Sequence, residues 1–138
     1  MLWLDAYEHQ FIEEAGQMNI FFRLGDTVVT PPLSGTILPG VTRDSVLTLL
    51  DEWGIAREER RISIKELNDA ANEGLLCEAF GAGTAAVVAP VQSIQYQGSN
   101  IAIPDPGPDA LCRRLYDELT GIQYGEIPDR HDWVVAVT

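Results

Sequence analysis

Only one lysine occurs in the 138 residues, Lys65, beside eight arginines. Any chemistry that needs a reactive amine must use Lys65 or the N-terminus, or take it from another chain. Positive charge is scarce altogether: nine basic residues face 21 acidic ones, for a formal net charge of −12. Nucleic acid and anionic membranes both need a basic face to displace counterions, so neither is expected as a partner. Cysteine is limited to Cys77 and Cys112. They form no CxxC pair, are too few for a disulfide framework, and are expected as buried free thiols. The two histidines, His9 and His131, lie far apart without ligand spacing, which predicts surface histidines and no metal site. No apolar run approaches the ~20 residues of a bilayer span, and no basic n-region with an apolar h-region opens the chain. What remains is globular: 46% apolar and 22% charged residues, in a chain long enough to bury a core. The expectation is one acidic, soluble, cytoplasmic domain.

The pattern along the chain mixes strands and helices. Met1 to Asp5 reads as a short strand. Met18 to Leu24 and Thr27 to Thr30 are apolar and β-branched runs separated by Gly25-Asp26, a hairpin signal closed by Pro31-Pro32. A loop, Leu33 to Arg43, leads into a helix with Thr42 as expected N-cap, the stripe Val46, Leu47, Leu49, Leu50 and Trp53, and Gly54 at its end. Glu58 to Ile62 reads as a strand, and Ser63 with Glu66 as a capping box for a second helix that stops near Gly74. Glu78 to Phe80 and Ala86 to Val91 flank a GAGTA turn. Ser93 to Tyr96 and Asn100 to Ile103 form a further hairpin. A third helix carries Leu111, Leu115, Leu119 and Ile122. Trp133 to Val137 is expected to close as a strand. The class is α/β or mixed α+β, with a largely antiparallel or mixed sheet.

Three segments offer charge or free backbone donors. In Ile12–Asn19, a carboxylate before the glycine could hold a protonated ring nitrogen, since an opposite charge favours the ionised form. Two solvated acids fit the same spacing. In Leu38–Arg43, Gly40 admits close backbone approach, and the helix N-terminus behind it exposes N–H groups suited to phosphate. Read alone, the segment fits a plain helix start capped by Thr42 better. In Gly81–Ala85, the amides of Thr84 and Ala85 and the Thr84 hydroxyl could bind a carboxylate or phosphate, although the segment is neither GxGxxG nor a P-loop. Ser34, in S-G-T, is no nucleophile elbow.

Together these segments resemble the C-terminal part of branched-chain amino acid aminotransferases, fold-type IV enzymes that use pyridoxal 5′-phosphate (PLP). The resemblance rests on LWLDA at 2–6, EH at 8–9, IEEAGQMNIFF at 12–22, TPPLSGTILPGVTRDSV at 30–46, EERRISI at 58–64, EAFGAGTAAVVAPV at 78–91 and LYDELTGIQYG at 115–125. It implies the C-terminal large, cofactor-binding domain of that architecture over residues 1–138, a largely antiparallel pseudo-barrel with about three helices. It also implies amino transfer between leucine, isoleucine or valine and 2-oxoglutarate. By position, Glu14 matches the acid on the pyridine nitrogen, and Leu38 the residue against the ring face. Gly40 with the Val41 and Thr42 amides matches the phosphate cup. Thr84 matches a further phosphate contact, and Thr84–Ala85 the substrate carboxylate site.

The chain departs from the family pattern twice. Gln17 stands where a small residue or Thr is usual beside the cofactor. The Schiff-base lysine, an arginine on the phosphate and a substrate-binding tyrosine all lie in the family upstream of the position matching Met1. Lys65, just inside a helix start, is expected to be solvated. The expectation is therefore a truncated frame, cleaved product or cloned domain that does not transaminate by itself, with no catalytic residue of its own. Two alternatives follow: a non-enzymatic PLP- or phosphate-binding or regulatory module, and an enzyme completed by a second chain that supplies the N-terminal part. Uncovered apolar surface near the first strand would favour self-association.

Overall fold

The computed structural model describes all 138 residues. The elements are β1 (Leu2–Leu4), β2 (Ile12–Ala15), β3 (Met18–Leu24), β4 (Thr27–Thr30), α1 (Val41–Glu52), β5 (Ala56–Glu59), α2 (Ile64–Asn72), β6 (Leu76–Gly83), β7 (Val87–Pro90), β8 (Ser93–Tyr96), β9 (Ser99–Ala102) and α3 (Leu111–Gln123). Gly16 and Gly25 take φ of +63° and +61° in the turns on either side of β3, a conformation open to glycine at little steric cost.

The sequence MNIFFRL makes β3 the hub of a forked seven-stranded sheet. One edge pairs with β6 from Asn19 to Leu24. The other edge is shared: β2 takes Met18 and Asn19, whereas β4 takes Phe22 to Leu24. At the fork, the Thr30 hydroxyl donates to the Ile20 carbonyl at 2.7 Å, so a side chain supplies the bond that neither strand makes. Beyond β4, the α1 crossover returns the chain as β5, parallel to β4; the other pairings are antiparallel. The arms end at β1, β5 and β7, so the barrel implied by the resemblance is a partial one.

Strand alternation gives the sheet two apolar faces. Ile12, Ile20, Phe22 and Ala79 face α2 and the β8–β9 hairpin through Leu67, Ile94 and Ile101. Phe21, Phe80, Ala82 and Val88 face α1 and α3 through Val46, Leu50, Leu111 and Leu115. Phe21 and Phe80 stack with centroids 5.2 Å apart. Burying each such side chain contributes about 1.5–3 kcal/mol, and the sandwich of helix, sheet and helix follows from having both faces apolar.

Several expectations are corrected. The helix α1 is capped by Gly40, with no side-chain cap, and Thr42 lies inside its first turn. The fifth strand is Ala56–Glu59, not Glu58–Ile62. It runs in register with Thr27–Thr30 and stops where Pro31 ends the partner. Its sequence AREE has no apolar alternation because it is an edge strand, with Arg57 paired to Asp51 at 2.9 Å and Glu59 to Arg43 at 2.8 Å. Ser63 does cap α2, accepting the Glu66 N–H at 3.0 Å. Glu66 does not complete the box, and pairs with Arg60 at 2.7 Å. The GAGTA turn narrows to Thr84–Ala86, since β6 runs to Gly83.

Trp133 to Val137 forms no strand. Trp133 instead packs beside the α1–α3 core and stacks on His131 at 4.2 Å, leaving Val134, Val135 and Val137 exposed. His131 is therefore half-buried, its Nε2 2.9 Å from Glu52 Oε2. Cys112 is buried as expected, whereas Cys77 is partly exposed. No helix is long and apolar enough to cross a membrane.

Candidate functional site

Strand register lines up one row across the sheet: Trp3 opposite Glu14, Glu14 opposite Asn19, Asn19 opposite Ala82, Ala82 opposite Val88. Opposed residues share a face. Ala82 and Val88 belong to the α1–α3 core, so Glu14 and Asn19 project toward the side where α1 begins.

The start of α1 is open. Its first backbone bond runs from the Asp44 N–H to the Gly40 carbonyl at 3.1 Å. The N–H groups of Val41, Thr42 and Arg43 lie ahead of it without intrahelical partners. With glycine at the cap, no side chain folds over them. Arg43 turns the other way and is buried, bonding the Pro31 carbonyl at 3.1 Å and Glu59 at 2.8 Å. It anchors the helix start to β5.

The backbone of Leu38 is held from both sides. Its N–H donates to Glu14 Oε1 at 3.0 Å, and its carbonyl accepts from Asn19 Nδ2 at 2.9 Å and from the Gly40 N–H at 2.9 Å. One turn earlier, the Thr36 hydroxyl donates to Glu13 Oε1 at 2.9 Å. Both acids of β2 thus fasten the loop between β4 and α1. The reading of Glu13 and Glu14 as merely solvated does not describe this arrangement.

Glu14 and Leu38 are therefore in direct contact, with Gly40, Val41 and Thr42 following in the chain. The Leu38 and Val41 side chains are 67% and 83% exposed. Thr84 and Ala85 are exposed in the β6–β7 turn, reached through Ala82 on the same row. Gly81 and Gly83 serve packing: a Cβ at Gly81 would lie 2.8 Å from Met18 Cε, and one at Gly83 3.2 Å from Met18 Cγ. Gln17 is exposed in the β2–β3 turn.

Sequence reading misses Asn19. Its signal is a carboxamide within an otherwise apolar strand start, where asparagine is disfavoured.

Lys65 lies away from this row. It sits on α2, which packs on the opposite face, and its exposed ammonium pairs with Asp69 at 2.7 Å. That hydrogen bond raises its pKa above the ordinary lysine value, the reverse of what a neutral amine nucleophile needs. The principal cavities also lie elsewhere. One of about 550 Å³ opens between β6, β7 and α3 beneath Pro104–Gly107. Another of about 510 Å³ lies between the Asp5–Glu13 and Pro31–Ile37 loops. The Glu14–Leu38–Thr42 row is an open face outside both.

Residues 4–94 match the family described as Amino-transferase class IV. The chain belongs to that family. In sequence, this class IV aminotransferase chain is 47% identical over 137 residues to a probable branched-chain-amino-acid aminotransferase of Staphylococcus epidermidis, covering 99% of this chain and 38% of the relative. In structure, it is similar to the Escherichia coli branched-chain amino acid aminotransferase, with a TM-score of 0.81 at 29% identity, covering 99% of this chain and 41% of that one. It is similar too to the branched-chain amino acid aminotransferase from Thermobaculum terrenum in its PLP-form, with a TM-score of 0.72 at 29% identity and 91% and 38% covered. The chain thus spans 38% of the length of the curated relatives it matches. The mixed, mostly antiparallel fold with three helices is that of the fold-type IV aminotransferases.

Proposed function

We propose that residues 1–138 form the C-terminal, cofactor-binding part of a branched-chain amino acid aminotransferase, cytoplasmic, acting between leucine, isoleucine or valine and 2-oxoglutarate. The observation that carries this reading is the contact of Glu14 with Leu38 directly ahead of the uncapped α1 N-terminus. One face thereby offers a carboxylate and a set of free amides.

The donor set fits PLP. Glu14 spends one oxygen on the Leu38 N–H, and the other would hold the protonated pyridine nitrogen, keeping it charged. The Val41 and Thr42 amides, which glycine at position 40 leaves open, would hold the phosphate together with the Thr84 hydroxyl. Leu38 would cover the ring face, and the Thr84–Ala85 turn would orient the substrate carboxylate. PLP, when bound, supplies the electron sink for moving the amino group. No buried amine stands near this face, so these residues bind and orient without moving a proton to or from the substrate carbon. The chain by itself is therefore inactive in transamination. The exposed Met1, Trp3 and Tyr7 around the first strand support pairing with a chain that supplies the N-terminal part, or self-association.

Purified chain is incubated with PLP, reduced with borohydride, and analysed by intact mass and peptide mapping, with leucine–2-oxoglutarate transamination assayed alongside. Expected are reversible PLP binding, no covalent adduct and no turnover. An adduct on Lys65 with turnover overturns the proposal. Turnover gained only on adding a separately expressed N-terminal part of a relative supports completion by pairing. Reversible binding without rescue favours a non-enzymatic module.

A further inference from the structure

Asn19 has no place in the cofactor contacts just proposed, yet three features of that face meet on it. It is 5% exposed, in a strand otherwise given to apolar packing. Its Nδ2 donates to the Leu38 carbonyl at 2.9 Å. Its Oδ1 lies so close to Gly40 that a Cβ at residue 40 would overlap it. Its cross-strand neighbour Glu14 holds the other polar group of the same residue, the Leu38 N–H. Two adjacent side chains of the sheet thus grip one peptide-bearing residue from both sides. Pro39 follows, with its φ fixed, and then the helix.

We propose that Asn19 is a positioning residue. By holding Leu38 against the sheet it sets where the first turn of α1 begins relative to Glu14, and so fixes the span between the acid and the open amides of Val41 and Thr42. Leu33 to Thr36 are exposed, and the remaining side-chain tie of that loop to the sheet is the exposed Thr36–Glu13 bond. Without the Asn19 donor, Leu38 keeps only the Glu14 bond to the sheet, while buried Ile37 and the Arg43 bonds to Pro31 and Glu59 hold the two ends of the segment. The functional consequence rests on the cofactor reading above. The mechanical role rests on geometry alone.

Two variants test it in the full chain. Asn19→Asp keeps the shape but faces the Leu38 carbonyl with an acceptor and adds a like charge beside Glu14. Asn19→Ala removes both polar atoms. Amide exchange by NMR is read at Leu38, Gly40 and Asp44, with Leu50 and Trp53 at the far end of α1 as controls. Affinity is then read for pyridoxamine 5′-phosphate and for pyridoxamine, which lacks the phosphate. Exchange at Leu38, Gly40 and Asp44 is expected to quicken about tenfold, the energy of one lost, half-buried hydrogen bond, with the controls unchanged. Affinity for the phosphorylated ligand is expected to fall about tenfold while that for pyridoxamine changes little. Unchanged exchange at all three amides in both variants overturns the proposal, as does an equal affinity loss for the two ligands. If the wild type binds neither ligand, the cofactor reading fails, and the exchange data alone decide the positioning role. Should either variant unfold, Gly40→Ala in the wild type and in an Asn19→Ser background gives the same answer. The penalty is expected to shrink in the second background, and additive penalties overturn the contact.

Discussion

The carboxylate of Glu78 sits on the first turn of α3 and accepts the N–H of Leu111 at 2.8 Å, with the Cys112 N–H at 3.0 Å on its second oxygen. The residue at the N-cap of that helix is Ala110, whose methyl group cannot accept a hydrogen bond. A strand residue thus caps a helix far away in sequence, and Arg23 neutralises it from β3 at 3.2 Å. Negative charge at a helix N-terminus is stabilising, and more so when buried. Glu78→Ala is expected to destabilise the fold by about 3 kcal/mol, because it orphans the two N–H groups at the buried start of α3. Glu78→Gln, which keeps one acceptor, should lose about half as much. Urea unfolding checks both, and equal stability of all three proteins would show that the cap contributes nothing.

Gly40→Ala drives a methyl group into the Asn19 carboxamide. The backbone conformation there suits alanine, with φ −64° and ψ 136°, so the penalty is purely one of space. A loss of about 1–3 kcal/mol is expected, the ordinary cost of overpacking. A Tm within error of the wild type would mean that Asn19 moves aside freely.

Burial pushes the Cys112 thiol up to about 11, with the nearby Glu78 charge adding to it. Cys77 should therefore react with a thiol reagent at neutral pH while Cys112 reacts only after unfolding. The raised value also has a sign for stability. The unfolded thiol ionises near pH 8.5, so stability is complete below that pH and declines as pH climbs toward the folded value. Cys112→Ala should flatten this alkaline slope, as followed by denaturant midpoints between about pH 8 and pH 10.

Asp5 is buried and accepts three backbone amides of the β1–β2 loop, from Glu8, Gln10 and Phe11 at 2.7–2.9 Å. These bonds, that of Phe11 first, hold its carboxyl well below the usual carboxylate range. A depressed folded pKa contributes stability above the unfolded value of about 3.9, lost as pH falls toward the folded one. Asp5→Asn should be less stable than the wild type at neutral pH, and the gap should close on acidification. A gap that stays constant from pH 6 to pH 2 would exclude this origin.

Legibility follows locality. The hairpin at Gly25-Asp26, the Ser63 cap and the i, i+4 spacing of Leu111, Leu115 and Leu119 are carried by neighbouring residues, and each forms as expected. The strand Ala56–Glu59 escapes a sequence reading because its partners are the parallel β4 and arginine pairs, which leave no apolar alternation. Thr42 has the chemistry of a cap, but α1 already starts at Val41, and the cap position falls on Gly40, where Asn19 leaves room for nothing larger. Trp133 has strand propensity, yet stacking on His131 and packing beside α1 and α3 decide its place. At the site, the contiguous run Leu38–Thr42 is visible in sequence. Asn19 and the Glu14–Leu38 bond are not, since both depend on which strands lie side by side.

Two hairpins occupy one edge of β3, whereas the opposite edge waits for β6, which begins only at Leu76. During synthesis the meander from β2 to β4 leaves the ribosome before β6 does. Until β6 joins, a strand formed around Phe21 and Phe22 has one bare edge, a template for pairing with another nascent chain. Slow elongation between Pro31 and Gly74 would lengthen this exposure and favour pairing between nascent chains.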